Sequence, residues 1–420
     1  MILFLVILLF IPIIILGYKK DKSLASPIVV FPVIWTWIAT MAYLRLMPIN
    51  EVSNRTFFIV ILGVLSFCIG ALFYRKPSVK LHQIQSNNID VDKFRKNFIA
   101  LEVLAILIMT LSSLVVITLL RSGYSMEDIY FMRLQMAQGG DNALSGVSDI
   151  YVILLEFIAR PILAIAVPFT VLDYLLNNKK TTLLYTIILL VLGYINKANR
   201  LDILMSIFIL AYSYVLLEKK RRINGLLLAR YGLVFIAIFI LFNYLTNMRG
   251  GKADFISTLY YYACGNLPFF DIRLHELDLS HTYTIFLSSF QGVVRPFGQA
   301  LSMIGIEVPQ LYLIASEYVN VEDVVDIGSE GTFNAFIGPF YFFYCDLGYI
   351  GIIFYSFIFG WVMEKLYYKT ILLHTLLPAL FFVMFFVRGC VFSFYNFLLS
   401  GITYGMAFWI LIALYFKTKK

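Results

Sequence analysis

The chain has 420 residues, of which 61% are hydrophobic and only 14% charged, with a mean hydropathy of +0.85 and a formal net charge of +8. That balance excludes a soluble globular domain, and the continuous apolar runs exclude a β-barrel, whose strands alternate. Nucleic acid is excluded as the reason for the basic charge, because Lys and Arg divide by side of a membrane.

Taken in order, apolar stretches at 2–18, 25–46, 56–74, 97–120, 150–175, 182–196, 201–217, 226–246, 345–364, 371–388 and 393–416 predict about eleven transmembrane helices in an all-α polytopic membrane protein. The first stretch has no basic leader and no small-residue cleavage site before Lys19, so it reads as a retained helix. Basic clusters follow every second span: Lys19 to Lys22, Arg75 to Lys96, Lys179-Lys180, Lys219 to Arg222, Lys365 with Lys369, and Lys417 to Lys420. By the positive-inside rule these ends are cytoplasmic, which puts the N-terminus outside and the C-terminus inside. The chain then divides into an N-terminal bundle over 1–246, a long outer-face loop over 247–333 and C-terminal helices over 334–420.

On this topology about 20 Lys and Arg lie inside, about 16 of them Lys, whereas about 10 of the 12 outside are Arg. Orientation and anionic lipid explain the inner Lys. They do not explain the outer Arg, whose planar fork grips phosphate bidentately where Lys cannot. Pairing with the plentiful outer acids is the plainer reading of any single Arg. Within the loop, Thr284 to Ile306 is moderately apolar but broken by Gln291-Gly292, Arg295-Pro296 and Gln299. That pattern predicts a re-entrant or interfacial helix covered by protein.

Several clusters could carry chemistry. Asp271, Arg273, His275 and Glu276 fall within six residues; they read either as a solvated face with local ion pairs or as an anion site with a proton-moving His or acid. Arg249-Gly250-Gly251-Lys252 is either an exit turn or an anion-binding curve of backbone N–H groups. Arg295 in its semi-apolar stretch requires a partner or an anionic ligand. Glu156 and Arg160 are one helical turn apart, followed by Pro161, and read as a structural pair or as part of a substrate site. Arg200 and Arg388 place further guanidinium groups toward the outer face. The four Cys and four His form no ligand motif, and no Walker, dinucleotide or nucleophile-elbow signature is present. No metal and no cofactor are expected.

Tyr260 to Asn266 is an aromatic-Gly-Asn segment, and Thr332-Phe333 through Gly338-Pro339-Phe340-Tyr341 and Asp346-Leu347-Gly348 to Gly351 leads into a span that ends with Gly360. Together with the long outer loop before the last spans and Asn199-Arg200 opening the seventh, this resembles the bacterial oligosaccharide repeat-unit polymerases, the Wzy-type polymerases of O-antigen and capsule. Where members commonly carry Asp-Phe-Gly, this chain has Asp346-Leu347-Gly348. The resemblance implies a GT-C-like glycosyltransferase at the outer face of the bacterial plasma membrane. Its donor would be a glycan on undecaprenyl pyrophosphate and its acceptor a second lipid-linked repeat unit. A chain-length regulator (polysaccharide co-polymerase) and a flippase would be its partners, with membrane lipid around it. The leaving pyrophosphate needs preorganised cations, which assigns Arg249, Arg273, Arg295, Arg200, Arg160 and Arg388 to substrate binding. The acceptor hydroxyl needs a base, for which His275, Glu276 and Asp271 are the candidates. An O-antigen-ligase-like transferase would need the same groups. A lipid-linked oligosaccharide flippase would instead concentrate charge in a central cavity, with twelve or more spans and short loops.

The topology predicts that a reporter fused after Leu279 reads as extracytoplasmic. Phosphatase activity with silent β-galactosidase is the expected result, and the reverse pattern would invert every later span.

Overall fold

The computed structural model describes residues 2–75, 89–125, 128, 153–197, 200–217, 255–280, 282–320, 325–328, 332–333 and 336–419. The expected eighth span at 226–246 and most of the polar stretch near 121–149 lie outside the described residues. Among the described residues the architecture is all-helical apart from a two-stranded antiparallel ribbon, β1 (Val325–Asp326) with β2 (Thr332–Phe333). The first half comprises α1 (Ile2–Asp21), α2 (Pro27–Leu44), α3 (Asn54–Phe73), α4 (Val91–Arg121), α5 (Arg160–Asn177), α6 (Leu183–Lys197) and α7 (Arg200–Leu217). The loop region holds α8 (Phe255–Cys264), α9 (Asn266–Ser280), α10 (Gln291–Met303) and α11 (Gln310–Val319). The C-terminal part holds α12 (Pro339–Leu373), α13 (Leu376–Phe386) and α14 (Ile402–Thr418). Among the described residues, five helices are long and apolar enough to cross a membrane, and four shorter apolar helices accompany them. This fits a membrane-embedded protein.

Apolar burial does not drive helices together inside lipid, so close packing must. α3 and α12 lie side by side because small residues permit it: a methyl group on Gly70 would strike the Phe357 carbonyl, and one on Gly360 the Phe67 carbonyl. Around this contact Phe31 stacks on Phe67 at 4.0 Å between ring centroids.

Polar contacts gather at the two ends of the bundle. At one end Lys20 donates to Glu364 (2.9 Å) and to the Ala71 carbonyl (2.7 Å), Arg95 makes a two-pronged pair with Asp173 (2.6 and 2.9 Å), and Asp90 N–H donates to the Thr418 carbonyl (2.9 Å). At the other, Arg55 pairs with Asp278 (2.9 Å) and donates to Tyr344 (2.7 Å), Tyr260 donates to the Met41 carbonyl (3.0 Å), and Asn50 N–H donates to the Ile327 carbonyl (2.6 Å). Each group joins ends that strict alternation of spans puts on one side.

Two expected spans differ in the structure. The ninth runs longer, from Pro339 to Leu373, and is bent at Leu347 (φ −147°, ψ 21°) and Gly348 (φ 61°, ψ −139°). The positive φ suits glycine, which has no Cβ to clash. The bend frees the carbonyls of Cys345 and Asp346, which accept the N–H groups of Thr284 (3.1 Å) and Ile285 (3.0 Å). The buried Asp346 carboxylate accepts the N–H of Ser288 (2.9 Å), the N–H of Ser289 (3.0 Å) and the Thr284 hydroxyl (2.7 Å). The last span starts at Ile402 rather than near 393, because the backbone turns repeatedly over Phe392–Ser400, where Ser393, Asn396 and Ser400 interrupt the apolar side chains.

The stretch read as re-entrant or interfacial is a run of turns leading into α10, with Thr284, Ser288 and Ser289 buried and Ile285 and Phe286 exposed. Gly292 N–H donates to the Leu399 carbonyl (3.0 Å), a methyl on Gly292 would strike the Gly401 carbonyl, and Trp409 donates to the Val293 carbonyl (3.0 Å). α10 therefore packs on α14 while Phe297, Met303 and the following Ile304 stay exposed.

Replacing Asp346 by Ala strands two buried N–H donors at about 1–3 kcal/mol each. A clear fall in melting temperature in detergent and proteolysis between Thr284 and Gln291 are expected, with a smaller effect for Asp346→Asn, which keeps one acceptor oxygen. An unchanged melting temperature for Asp346→Ala would remove this joint from the fold.

Candidate functional site

A cavity of about 270 Å³ opens between α4, α5, α6, α7 and the start of α14. Its polar lining is Arg160, Asn196, Ser206, Arg388, Thr403 and Tyr404, over apolar walls that include Met109, Leu163 and Ile209. At about 1.5 Å per residue, Arg160 lies roughly 20 Å along α5 from Asp173, and Thr403 roughly 22 Å along α14 from Thr418. Both reference residues belong to the Lys-rich end. The cavity thus sits in the opposite half of the bundle.

Each arginine is attached to a π-turn. Leu155–Ala159 is one, closed by the Arg160 N–H to the Leu155 carbonyl. Pro161 supplies a local cause: it has no N–H to give the Phe157 carbonyl and its ring crowds that carbonyl, so a wider turn relieves the clash. Val387–Val391 is the other, closed by the Phe392 N–H to the Val387 carbonyl at 2.9 Å. A π-turn inserts one residue into the helical phase and is frequent at functional positions. Here it turns Arg388, within an apolar helix, toward the cavity.

A guanidinium in this setting needs compensation. Arg160 is ion-paired with Glu156 one turn before it. Arg388, 8% exposed, lies 3.8 Å from the Tyr395 ring centroid and 5.7 Å from that of Tyr404. Such cation–π contacts offset part of the desolvation. α14 adds a third positive element. It begins at Ile402 with Gly401 as N-cap and no side-chain cap, and Gly401, Thr403 and Tyr404 border the cavity. The first-turn N–H groups and the helix dipole favour an anion there. Asn196 donates to the Met109 carbonyl (3.0 Å), Ser113 (2.9 Å) and the Leu192 carbonyl (2.8 Å). Its buried Oδ1 has no hydrogen-bond partner among the described residues. An anion suits this set of cationic and N–H donors.

The remaining sequence candidates lie elsewhere. Asp271 holds the start of α3, accepting the Ser53 N–H (3.0 Å) and the hydroxyls of Ser53 and Thr56. Arg273 pairs with Glu276 at 2.6 Å and lies 5.4 Å from the Phe269 ring centroid. His275 is exposed on α9, and Arg295 is half-buried on α10. None of these borders the cavity. Arg200 is the first residue of α7, with its side chain outside the described residues, as is all of Arg249. Among the described residues no group of His, Cys, Asp and Glu could hold a metal ion. Burial pushes the Cys264 thiol up to about 12, which disfavours its thiolate. Tyr395, Tyr404, Asn196, Ser206 and Thr403 were not legible as site residues. The one available signal was Gly401, a helix start without a capping side chain.

Comparisons with family models, with curated proteins and with solved structures give no match to this chain.

The contacts of α9 separate architecture from chemistry. Asp271→Ala should destabilise the protein by about 1–2 kcal/mol, as loss of a helix cap does, read as a lower melting temperature. His275→Ala should leave the melting temperature unchanged. An unaltered melting temperature for Asp271→Ala would free that carboxylate for a catalytic role.

Proposed function

We propose that this chain is a membrane glycosyltransferase that joins lipid-pyrophosphate-linked oligosaccharide repeat units into a polysaccharide at the outer face of the bacterial plasma membrane, with Arg160 and Arg388 holding the pyrophosphate. The observation that carries this reading is the meeting of two arginines, each from its own π-turn, and an uncapped helix N-terminus at one cavity. The family resemblance of residues 332–360 supports it, and so does the position of the cavity away from the Lys-rich end, which is taken as cytoplasmic.

In the reaction, the acceptor sugar hydroxyl attacks the anomeric carbon of the donor glycan. A new C–O bond forms, and the bond from that carbon to the pyrophosphate oxygen breaks. The pyrophosphate leaves with the electron pair, and the hydroxyl proton passes to a base. Arg160, Arg388 and the α14 N–H groups face the charge that grows on the leaving group. Donors fixed in a water-poor site stabilise such charge without reorganising. Glu156, the ion-pair partner of Arg160, would be the carboxylate nearest this site and the candidate base in this reading. Asn196 borders the cavity beside these donors.

A lipid-linked oligosaccharide flippase is the second reading, favoured by the position of the arginines inside the bundle. Purified protein in detergent separates the two, because polymer formed from synthetic lipid-linked units needs no bilayer. Arg160→Lys and Arg388→Lys keep the charge and lose the fork. Each is expected to slow polymerisation about 10²–10³-fold at normal expression. No polymer from the wild-type protein would overturn the polymerase reading, and full rates for both Lys variants would move the pyrophosphate elsewhere.

A further inference from the structure

A second, apolar space adjoins the arginine cavity. It is a groove of about 260 Å³ lined by Phe208, Ala211, Tyr212 and Val215 of α7 and by Val387 and Val391 of the second π-turn. The α7 positions are spaced i, i+3, i+4 and i+7, a single helical stripe. The neighbouring stripe, Met205, Ser206 and Ile209, borders the arginine cavity. The π-turn divides in the same way, with Arg388 on the cavity and Val387 and Val391 on the groove. Phe208 (41%) and Val215 (62%) are exposed, so the groove is open at the side of the helix. Along α7 its residues lie on average about five positions beyond those of the cavity, roughly 7 Å closer to the Lys-rich end. Along α7 polar space thus gives way to apolar space toward the Lys-rich end, the order of head and chain in a lipid, while along the π-turn the two lie level.

We infer that this groove holds the first part of the hydrocarbon chain of the polyprenyl carrier whose pyrophosphate occupies the arginine cavity. The inference rests on the pyrophosphate assignment made above. A chain leaving lipid for an apolar groove gains no hydrophobic energy; what it gains is van der Waals packing and a fixed direction. The groove therefore positions the pyrophosphate and selects the carrier, and the arginines supply most of the attraction. Continuity along α7 and the π-turn favours the substrate's own chain over a bilayer phospholipid.

The test compares inorganic pyrophosphate, farnesyl diphosphate and dioleoyl phosphatidate as ligands of the full-length protein in detergent. Ala211→Trp fills the groove, and Ala211→Leu is the milder variant should the larger side chain disturb folding. Melting temperature without ligand checks both. Farnesyl diphosphate is expected to bind the wild type about tenfold more tightly than pyrophosphate, a modest gain of the kind packing supplies. Both variants should erase that advantage and leave pyrophosphate binding unchanged. Pyrophosphate binding with no chain advantage, or an advantage that survives in the variants, would overturn the groove assignment alone. Phosphatidate binding as tightly as farnesyl diphosphate would also overturn it, by making the groove a phospholipid site. Failure of both diphosphates to bind would overturn the pyrophosphate assignment and the groove with it.

Discussion

The Asp346 carboxylate decides how the second half of the molecule is assembled. A charge buried among apolar helices persists only where hydrogen bonds satisfy it. Three donors from Thr284, Ser288 and Ser289 do so here. Because those donors belong to the long insert over 247–333, the insert is drawn into the bundle at the bend of α12. Gly292 then meets the backbone at Leu399 and Gly401, and α10 seats on α14. The start of α14 is a wall of the arginine cavity, so its position traces back through two backbone contacts to one carboxylate.

The same constraint governs the arginines. In lipid a guanidinium is tolerated beside a carboxylate, over aromatic faces or against an anionic ligand. Arg160 has Glu156 and Arg388 has Tyr395 and Tyr404, and the space between them remains large enough for a ligand. The donors are held by helices and not by the insert over 247–333. Rigid elements place a charged group more accurately than loops do, which matters where a leaving group must be met as its charge develops. The salt bridges at the Lys-rich end, Lys20 with Glu364 and Arg95 with Asp173, close that end of the bundle.

Much of the helical framework was legible because apolarity and length specify spanning helices almost alone, as the expected spans near α2, α3 and α4 show. Boundaries failed where polarity and backbone shape part company. Phe392 to Leu399 reads as apolar helix yet turns, and the bend at Leu347-Gly348 depends on partners some sixty residues away. Asp346-Leu347-Gly348 was visible as a family-like motif, whereas its work as a hydrogen-bonded joint was not. Arg160 and Arg388 were both recognisable as unusual charges in apolar surroundings. Their convergence was not, because more than half the chain length separates them and no local pattern records a π-turn. The Asp271 to Glu276 cluster left two readings open, local ion pairs or an anion site; Asp271 accepts from Ser53 at the start of α3 and Arg273 pairs with Glu276, contacts that suit the first.

The location of the pyrophosphate is the central claim, and a structure of the full-length protein in nanodiscs with a lipid-linked repeat unit addresses it most directly. Density for a diphosphate between the guanidinium groups of Arg160 and Arg388, at the first turn of α14, is the predicted result. A diphosphate held by Arg273 or Arg295 on the insert over 247–333, with the cavity occupied by water or lipid alone, would contradict it.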